Sequence, residues 1–334
     1  MTTVPRTTPA VVATRAGGPD VLELTHVPVP EPGDGELLVA VAAAGVNFID
    51  TYRRSGIYPM EHPGILGTEG AGVVVALGAH AAGFAVGDPV AWSDAPGSYA
   101  GHVLVPTSRA LAVPPEIDLP TAAALLLQGL TAHYLVSSTY PVAPGDDVLV
   151  HAGAGGVGLL LTQLAVARGA KVITTVSTEE KERLSRAAGA HAVIRYDILD
   201  DLAHDLPALV RDLTGDRGVH VVYDSVGKDT FDASLGSLRT RGMLVLFGGS
   251  SGQVPPFDPQ RLNTAGSVYL TRPTLASYVA TREELVARAD DLFDAVARGA
   301  LTVRLGARYP LADARLAHAA LESRATTGKV LLVP

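Results

Sequence analysis

The feature that most narrows what this chain can fold into is the run Gly153-Ala154-Gly155-Gly156-Val157-Gly158. It follows a short apolar run at 147–151 and precedes an apolar stretch at 157–168 with helical spacing. A strand that enters a glycine-rich turn and leaves it as a helix is the opening of a βαβ unit. Gly153 suits the tight turn, Gly155 the close approach of backbone to a phosphate, and Gly158 close packing of helix on strand. The helix start adds unpaired N–H groups and partial positive charge. Gly153, Gly155, Gly156, Val157 and Gly158 are therefore the candidate seat of a dinucleotide pyrophosphate.

The surroundings extend that unit. Apolar runs at 148–151, 171–176, 192–196, 219–224, 243–247 and 267–270 are separated mainly by helical stretches, the pattern of a doubly wound parallel sheet. Before them lie short strands at 37–41, 71–77, 88–92 and 99–105, broken by Gly and Pro, which suggest a partly closed β-domain. Helices are expected at 119–138, 281–299 and 311–323, and a last strand at 330–333. The fold class is thus α/β, with a parallel-sheet unit at 131–270 inserted into a mostly β unit made of 1–130 and 271–334.

Composition removes several function classes. The chain has 334 residues, a net charge of −8 and no Lys/Arg-rich run, so nucleic acid is not expected as a partner. It has no cysteine, which excludes disulfides, thiol catalysis and Cys-based zinc sites. The ten histidines show no close ligand pair, and no metal is expected. Residues 1–16 lack the apolar core of a signal peptide, and no uninterrupted apolar run reaches the ~18 residues of a membrane span. The expectation is a cytoplasmic protein with no membrane partner.

The tip of the second parallel strand indicates which dinucleotide. An NAD site places Asp or Glu there to accept from the ribose 2′-hydroxyl. Here the strand ends in Ser177-Thr178, with Lys181 following and Glu179 and Glu180 only beyond the tip. Two hydroxyls and an ammonium suit a 2′-phosphate, each charge-assisted bond contributing about 1.5–3 kcal/mol. The expected cofactor is NADPH.

At 47–59 the chain reads Asn-Phe-Ile-Asp-Thr-Tyr-Arg-Arg-Ser-Gly-Ile-Tyr-Pro. This resembles the signature of bacterial NADPH:quinone oxidoreductases, the zinc-independent, ζ-crystallin-like branch of the medium-chain dehydrogenase/reductase superfamily. Similar blocks recur at Gly67-Thr68-Glu69, Gly129-Leu130-Thr131, 152–158, 222–227, 271–273, 281–285 and 321–326, so the resemblance spans nearly the whole chain. It implies a GroES-like catalytic domain built from both chain ends around a Rossmann domain, and a homodimer formed through the sheet edge near Val268-Tyr269-Leu270. It also implies that Asn47 and Thr131 lie near the nicotinamide, and that Ser177, Lys181 and Tyr196 surround the 2′-phosphate. Further cofactor contacts are implied for Ser225, Phe247, Ser250, Thr271, Arg272 and Arg324. Where zinc relatives carry Cys and His, this chain has Asn47 and Thr68.

Without a Lewis acid the acceptor must itself be electrophilic, as a quinone or a conjugated carbonyl is. Reduction puts negative charge on an oxygen, which hydrogen-bond donors stabilise. Asn47 and Tyr52 are the candidate donors, and Tyr58 the candidate pocket wall. The alternatives are an NADPH-dependent enone, alkenal or enoyl-thioester reductase on the same fold, and a crystallin-like protein that binds NADPH without turnover.

Overall fold

The computed structural model describes residues 4–334. By contact they form two compact units, one running to Gln128 and resuming over Thr281–Pro334, the other Gly129–Ala280.

The second unit is a six-stranded parallel sheet. Its spatial order is Ala192–Arg195, Lys171–Val176, Asp147–Val150, Val219–Asp224, Leu238–Leu246 and Tyr269–Thr271. The first strand in sequence is thus central, and the order reverses beside it, as in a Rossmann fold. Asp147–Val150 is buried on both faces, and Leu149, Ile173, Val222 and Leu244 join helix residues Leu206, Val210 and Phe231 in one apolar core. Sandwiching between helices is why these strands read as continuous apolar runs rather than alternating ones. The fifth strand begins at Leu238, five residues before the apolar run that marks it in the sequence. Its early part, Arg239-Thr240-Arg241, is polar, and the pairing register shifts between Val219 and Val221 to absorb it.

The unit reaches to Ala280, ten residues beyond the expected boundary, and starts at Gly129 rather than 131. Thr271 belongs to the sixth strand, and Tyr278 stacks on Tyr134 with ring centroids 4.3 Å apart, which holds the segment after the strand to this unit.

The first unit is mostly β. A three-stranded antiparallel sheet pairs Leu22–Pro28, Thr7–Ala13 and Gly64–Ile65. A seven-stranded sheet is organised on the long strand Glu36–Val46, which pairs with Gly70–Leu77, His102–Pro106 and Lys329–Val333. One strand serves three partners because it is long enough to divide an edge, residues 36–40 pairing with His102–Pro106 and residues 44–46 with Lys329–Val333. Residues 37–44 also pair, in irregular register, with Gly70–Leu77. Two registers bring polar residues together inside this unit. Ala44 opposite Gly70 places Glu69 beside Gly45, and Val330 opposite Val46 places Lys329 beside Asn47. The apolar core of the unit includes Trp92, Tyr99, Leu37, Val39 and Leu332.

Among the described residues one helix, Leu119–Thr139, is long and apolar enough to cross a membrane by length and composition. Pro120, Gln128 and His133 interrupt its apolar run, and 67% of its apolar window is buried inside the protein. Its apolar face is core.

Candidate functional site

In the Rossmann unit the glycine turn lies at the carboxyl end of the central strand, and the helix Gly156–Ala167 starts directly from it, with Gly155 as N-cap. The roles of the glycines differ from those expected. Ala152, not Gly153, takes the left-handed conformation of the turn, with φ 54°. Gly153 is instead the packing glycine: a Cβ there would sit 2.6 Å from Thr174 Cβ and 2.8 Å from Ser185 Oγ. A Cβ on Gly158 would lie 2.2 Å from the Ala152 carbonyl oxygen, so this residue closes the turn on itself. The helix start is left with its first N–H groups, an anion seat.

Beyond the second strand, Lys181 Nζ donates to Ser177 Oγ at 3.2 Å, so these two candidates meet. Thr178 is the N-cap of helix Glu179–Ala187 and accepts from Lys181 N at 3.2 Å; its hydroxyl hydrogen is left to donate elsewhere. Tyr196 begins the turn after Arg195, which is paired with Val176, so it stands at the neighbouring strand tip. Ser225, Phe247, Ser250, Thr271 and Arg272 follow or end the other strands on the same sheet edge. Ser250 N bonds Ser225 O at 3.2 Å, Phe247 N bonds Asp224 O at 2.8 Å, and Arg272 donates to Leu246 O at 3.1 Å. Thr131 lies part-buried on the helix Leu119–Tyr134. Asn47, Tyr52, Tyr58 and Arg324 belong to the first unit.

Beneath that edge a buried polar assembly holds Asp224. Its carboxylate accepts from Val226 N (2.8 Å), Gly227 N (2.9 Å), Thr230 Oγ1 (2.8 Å) and Ser234 Oγ (2.7 Å). Since Ser234 donates to Asp224, its oxygen accepts from His151 Nε2 at 2.9 Å, and His151 Nδ1 then accepts from Thr175 Oγ1 at 2.9 Å. Burial lowers the His151 pKa, which keeps the ring neutral.

In the first unit the chemistry centres on Asn47 and on a residue the sequence reading did not single out. Lys329, 3% exposed, aims its ammonium at Glu69 Oε2, Asn47 Oδ1 (2.7 Å) and Gln128 Oε1 (2.8 Å), using all three hydrogens. Glu69, 0% exposed, also accepts from Leu127 N at 2.7 Å. Asn47 Oδ1 accepts additionally from Gln128 Nε2 at 2.5 Å, while its Nδ2 donates to Glu69 Oε2 (3.1 Å) and Gly45 O (3.2 Å). The carboxamide orientation is therefore fully determined. The cage exists because Gly45 has no side chain: a Cβ would lie 2.2 Å from Glu69 Oε2 and 2.7 Å from Lys329 Nζ. Burial lowers the Lys329 pKa, and the Glu69 charge opposes that.

Asn47 also starts the helix Phe48–Ser55, which carries Tyr52. The expectation that Asn47 donates to a substrate oxygen meets a difficulty here, since both amide hydrogens have internal partners. Tyr52 packs edge-on against Tyr58 at 5.5 Å and lies 6.2 Å from Phe48, forming an aromatic cluster in which Tyr58 is 36% exposed. Behind the helix, Asp50 Oδ2 accepts from Asn47 N (2.9 Å) and Tyr99 Oη (2.9 Å), while Oδ1 has no partner. Burial raises the Asp50 pKa to about 6. The chain of bonds continues through His318, which receives Arg54 on Nδ1 (3.0 Å) and faces Tyr99 Oη with Nε2 (3.2 Å); burial and Arg54 bring its pKa to about 3. Arg54, 2% exposed, ends the chain on Glu322 at 2.6 Å.

Zinc does not fit this donor set. Asn47 and Thr68 stand where zinc relatives carry ligands, an ammonium fills the cage, and no cluster of three His, Cys, Asp or Glu among the described residues could hold a metal.

Comparison with known proteins agrees with this picture. Residues 33–115 match the alcohol dehydrogenase GroES-like domain, and 156–294 the zinc-binding dehydrogenase domain. A mycobacterial protein complexed with NADPH superposes with a TM-score of 0.95 at 54% identity, covering 98% of this chain and 100% of that one. Escherichia coli quinone oxidoreductase complexed with NADPH superposes with a TM-score of 0.94 at 42% identity, with the same coverage. The 2-haloacrylate reductase of a Burkholderia species is 41% identical over 333 residues, 97% of this chain and 98% of the relative. The chain belongs to the quinone oxidoreductase branch of the medium-chain dehydrogenase/reductase superfamily.

Proposed function

We propose that the protein is an NADPH-dependent quinone oxidoreductase that works without a metal, and that it acts as a homodimer in the cytoplasm. The observation that carries the cofactor is the Ser177–Lys181 pair beside a glycine turn that admits no side chain at Gly153 or Gly158. Gly155, Gly156, Val157 and the helix start would hold the pyrophosphate, and Ser177, Thr178, Lys181 and Tyr196 the 2′-phosphate. Ser225, Phe247, Ser250, Thr271 and Arg272 would line the remainder along the sheet edge, with Asn47, Thr131 and Arg324 completing the set. When bound, the reduced nicotinamide supplies the hydride.

The protein's own part is orientation and charge. Of the two candidate donors, we assign Tyr52, on the helix Phe48–Ser55 within an aromatic cluster that includes the part-exposed Tyr58, to the acceptor oxygen, while the Asn47 hydrogens hold Glu69 and Gly45. Asn47 then serves as a fixed polar surface, and Tyr58 as wall. A second reading, reduction of a conjugated carbonyl, is favoured by the 2-haloacrylate reductase relative. The homodimer rests on the strand Tyr269–Thr271, which ends the sheet with Tyr269 59% exposed.

A panel of 1,4-quinones, alkenals and halogenated acrylates, assayed with NADPH and NADH, tests the proposal. Turnover on quinones with NADPH is expected to exceed the others, and Tyr52→Phe to lower it by up to about 10²-fold. Faster reduction of the acrylates would replace the first reading with the second.

A further inference from the structure

We propose that Lys329 is a positioning residue for the reduction: its buried ammonium fixes the Asn47 carboxamide and, through it, the start of the helix that carries Tyr52. The inference rests on the reading of Asn47 and Tyr52 as acceptor-site residues.

Three features make the cage a built site. Its four side chains come from distant parts of the chain, Asn47, Glu69, Gln128 and Lys329, and each polar group in it has a partner. A glycine at position 45 leaves the room, because any side chain there would displace both members of the ion pair. The connection to the helix is covalent and short. Asn47 is the helix N-cap, its side chain is bonded into the cage, and the Asp50 carboxylate takes up the Asn47 backbone N–H. Moving the carboxamide therefore moves the first helical turn, with Phe48 on it and Tyr52 one turn on. A cation is required, not merely a donor. Glu69 is fully buried and needs a compensating charge, and a donor-only ammonium satisfies three oxygen acceptors at once while forcing the Asn47 oxygen, rather than its NH2, toward itself.

Two variants test this. In Lys329→Ala the ammonium and its stem are removed, leaving space for a small amine. In Lys329→Met with Glu69→Gln both charges go but the shape is kept, which preserves folding. Quinone turnover, kcat, is expected to fall about 10²-fold in both variants, the size of a small misplacement of reacting groups, while KM for NADPH changes far less. Ethylammonium or propylammonium chloride is expected to restore part of the turnover of Lys329→Ala, and to raise its melting temperature, where sodium chloride of equal strength does neither. Wild-type turnover in the double variant would overturn the proposal, as would a Lys329→Ala protein that no amine stabilises. The unaltered protein keeps the failures apart: if it reduces no quinone the underlying reading falls, while amine-dependent stabilisation of Lys329→Ala still reports on the cage.

Discussion

Two buried carboxylates in this molecule are held in opposite ways. Glu69, in the β-rich unit, faces an ammonium. Asp224, in the Rossmann unit, is held by two backbone N–H groups and two hydroxyls, with no cation among these donors. The Asp224 solution is local, with every donor within ten residues in sequence, so a strand tip, the turn after it and the start of the short helix Phe231–Gly236 suffice. The Glu69 solution is long-range and depends on two strand registers meeting at Gly45. A carboxylate held by dipoles alone tolerates loss of one donor, whereas Glu69, whose other donors are Leu127 N and Asn47 Nδ2, relies on one full charge and loses most of its compensation when that cation goes.

The largest expected effect comes from that asymmetry. Glu69→Ala strands the Lys329 ammonium in the interior and is expected to destabilise the first unit by about 3–5 kcal/mol. Ser234→Ala, which removes one of four donors from Asp224, is expected to cost about 1–3 kcal/mol. Trp92 is the sole tryptophan and is buried in the first unit, so its fluorescence during denaturant unfolding reads the Glu69 variant directly. Backbone circular dichroism reads the other. Equal losses in the two variants would erase the distinction.

The same contrast explains what is legible in the sequence. The Rossmann unit announces itself because its signals are local: Gly153, Gly155 and Gly158 sit in one turn, and sandwiched strands read as apolar runs. Ser177 and Lys181 are four residues apart, one helical turn, and do meet. The cage is not legible that way, since positions 47, 69, 128 and 329 become neighbours only through pairing register. One signal is present: Gln128 is a lone amide in the apolar stretch Ala122–Thr131, a residue that burial disfavours without a partner. Lys329, heading an apolar strand, reads as an exposed strand end.

Asp50 is a third case, between the other two. It has two donors on one oxygen and none on the other, too few to hold the charge, and its pKa rises to about 6 against an ordinary value of 3.8. The folded protein thus keeps a proton that the unfolded chain releases. Between pH 4 and pH 6 the native state binds more protons, so this group's contribution falls as pH rises and is constant above. The gap between 3.8 and about 6 corresponds to about 3 kcal/mol. Asp50→Asn stays neutral throughout, so its stability relative to the unaltered protein is expected to rise by about that amount from pH 4 to pH 8, with half of the change reached at about pH 5 and little left above about pH 6. A difference that does not change with pH would mean that Asp50 titrates normally, and that Tyr99 and Asn47 suffice to hold its charge.

The smallest effect concerns a cation that is only part-buried, Lys181. Where Lys329 is sealed against a carboxylate, the Lys181 ammonium rests on the Ser177 hydroxyl at the open end of the sheet, with Thr178 capping its own backbone. Removing it should leave folding almost untouched, because a surface charge contributes little to stability. A bound 2′-phosphate would change that balance, since it offers the ammonium a dianion in place of a hydroxyl. Lys181→Ala is therefore expected to raise the Michaelis constant for NADPH about 10-fold, equivalent to about 1.4 kcal/mol, while leaving that for NADH unchanged. Steady-state kinetics with both cofactors decides it. An equal rise for both would place the lysine at the shared part of the dinucleotide, and a rise for neither would return it to the solvated helix surface.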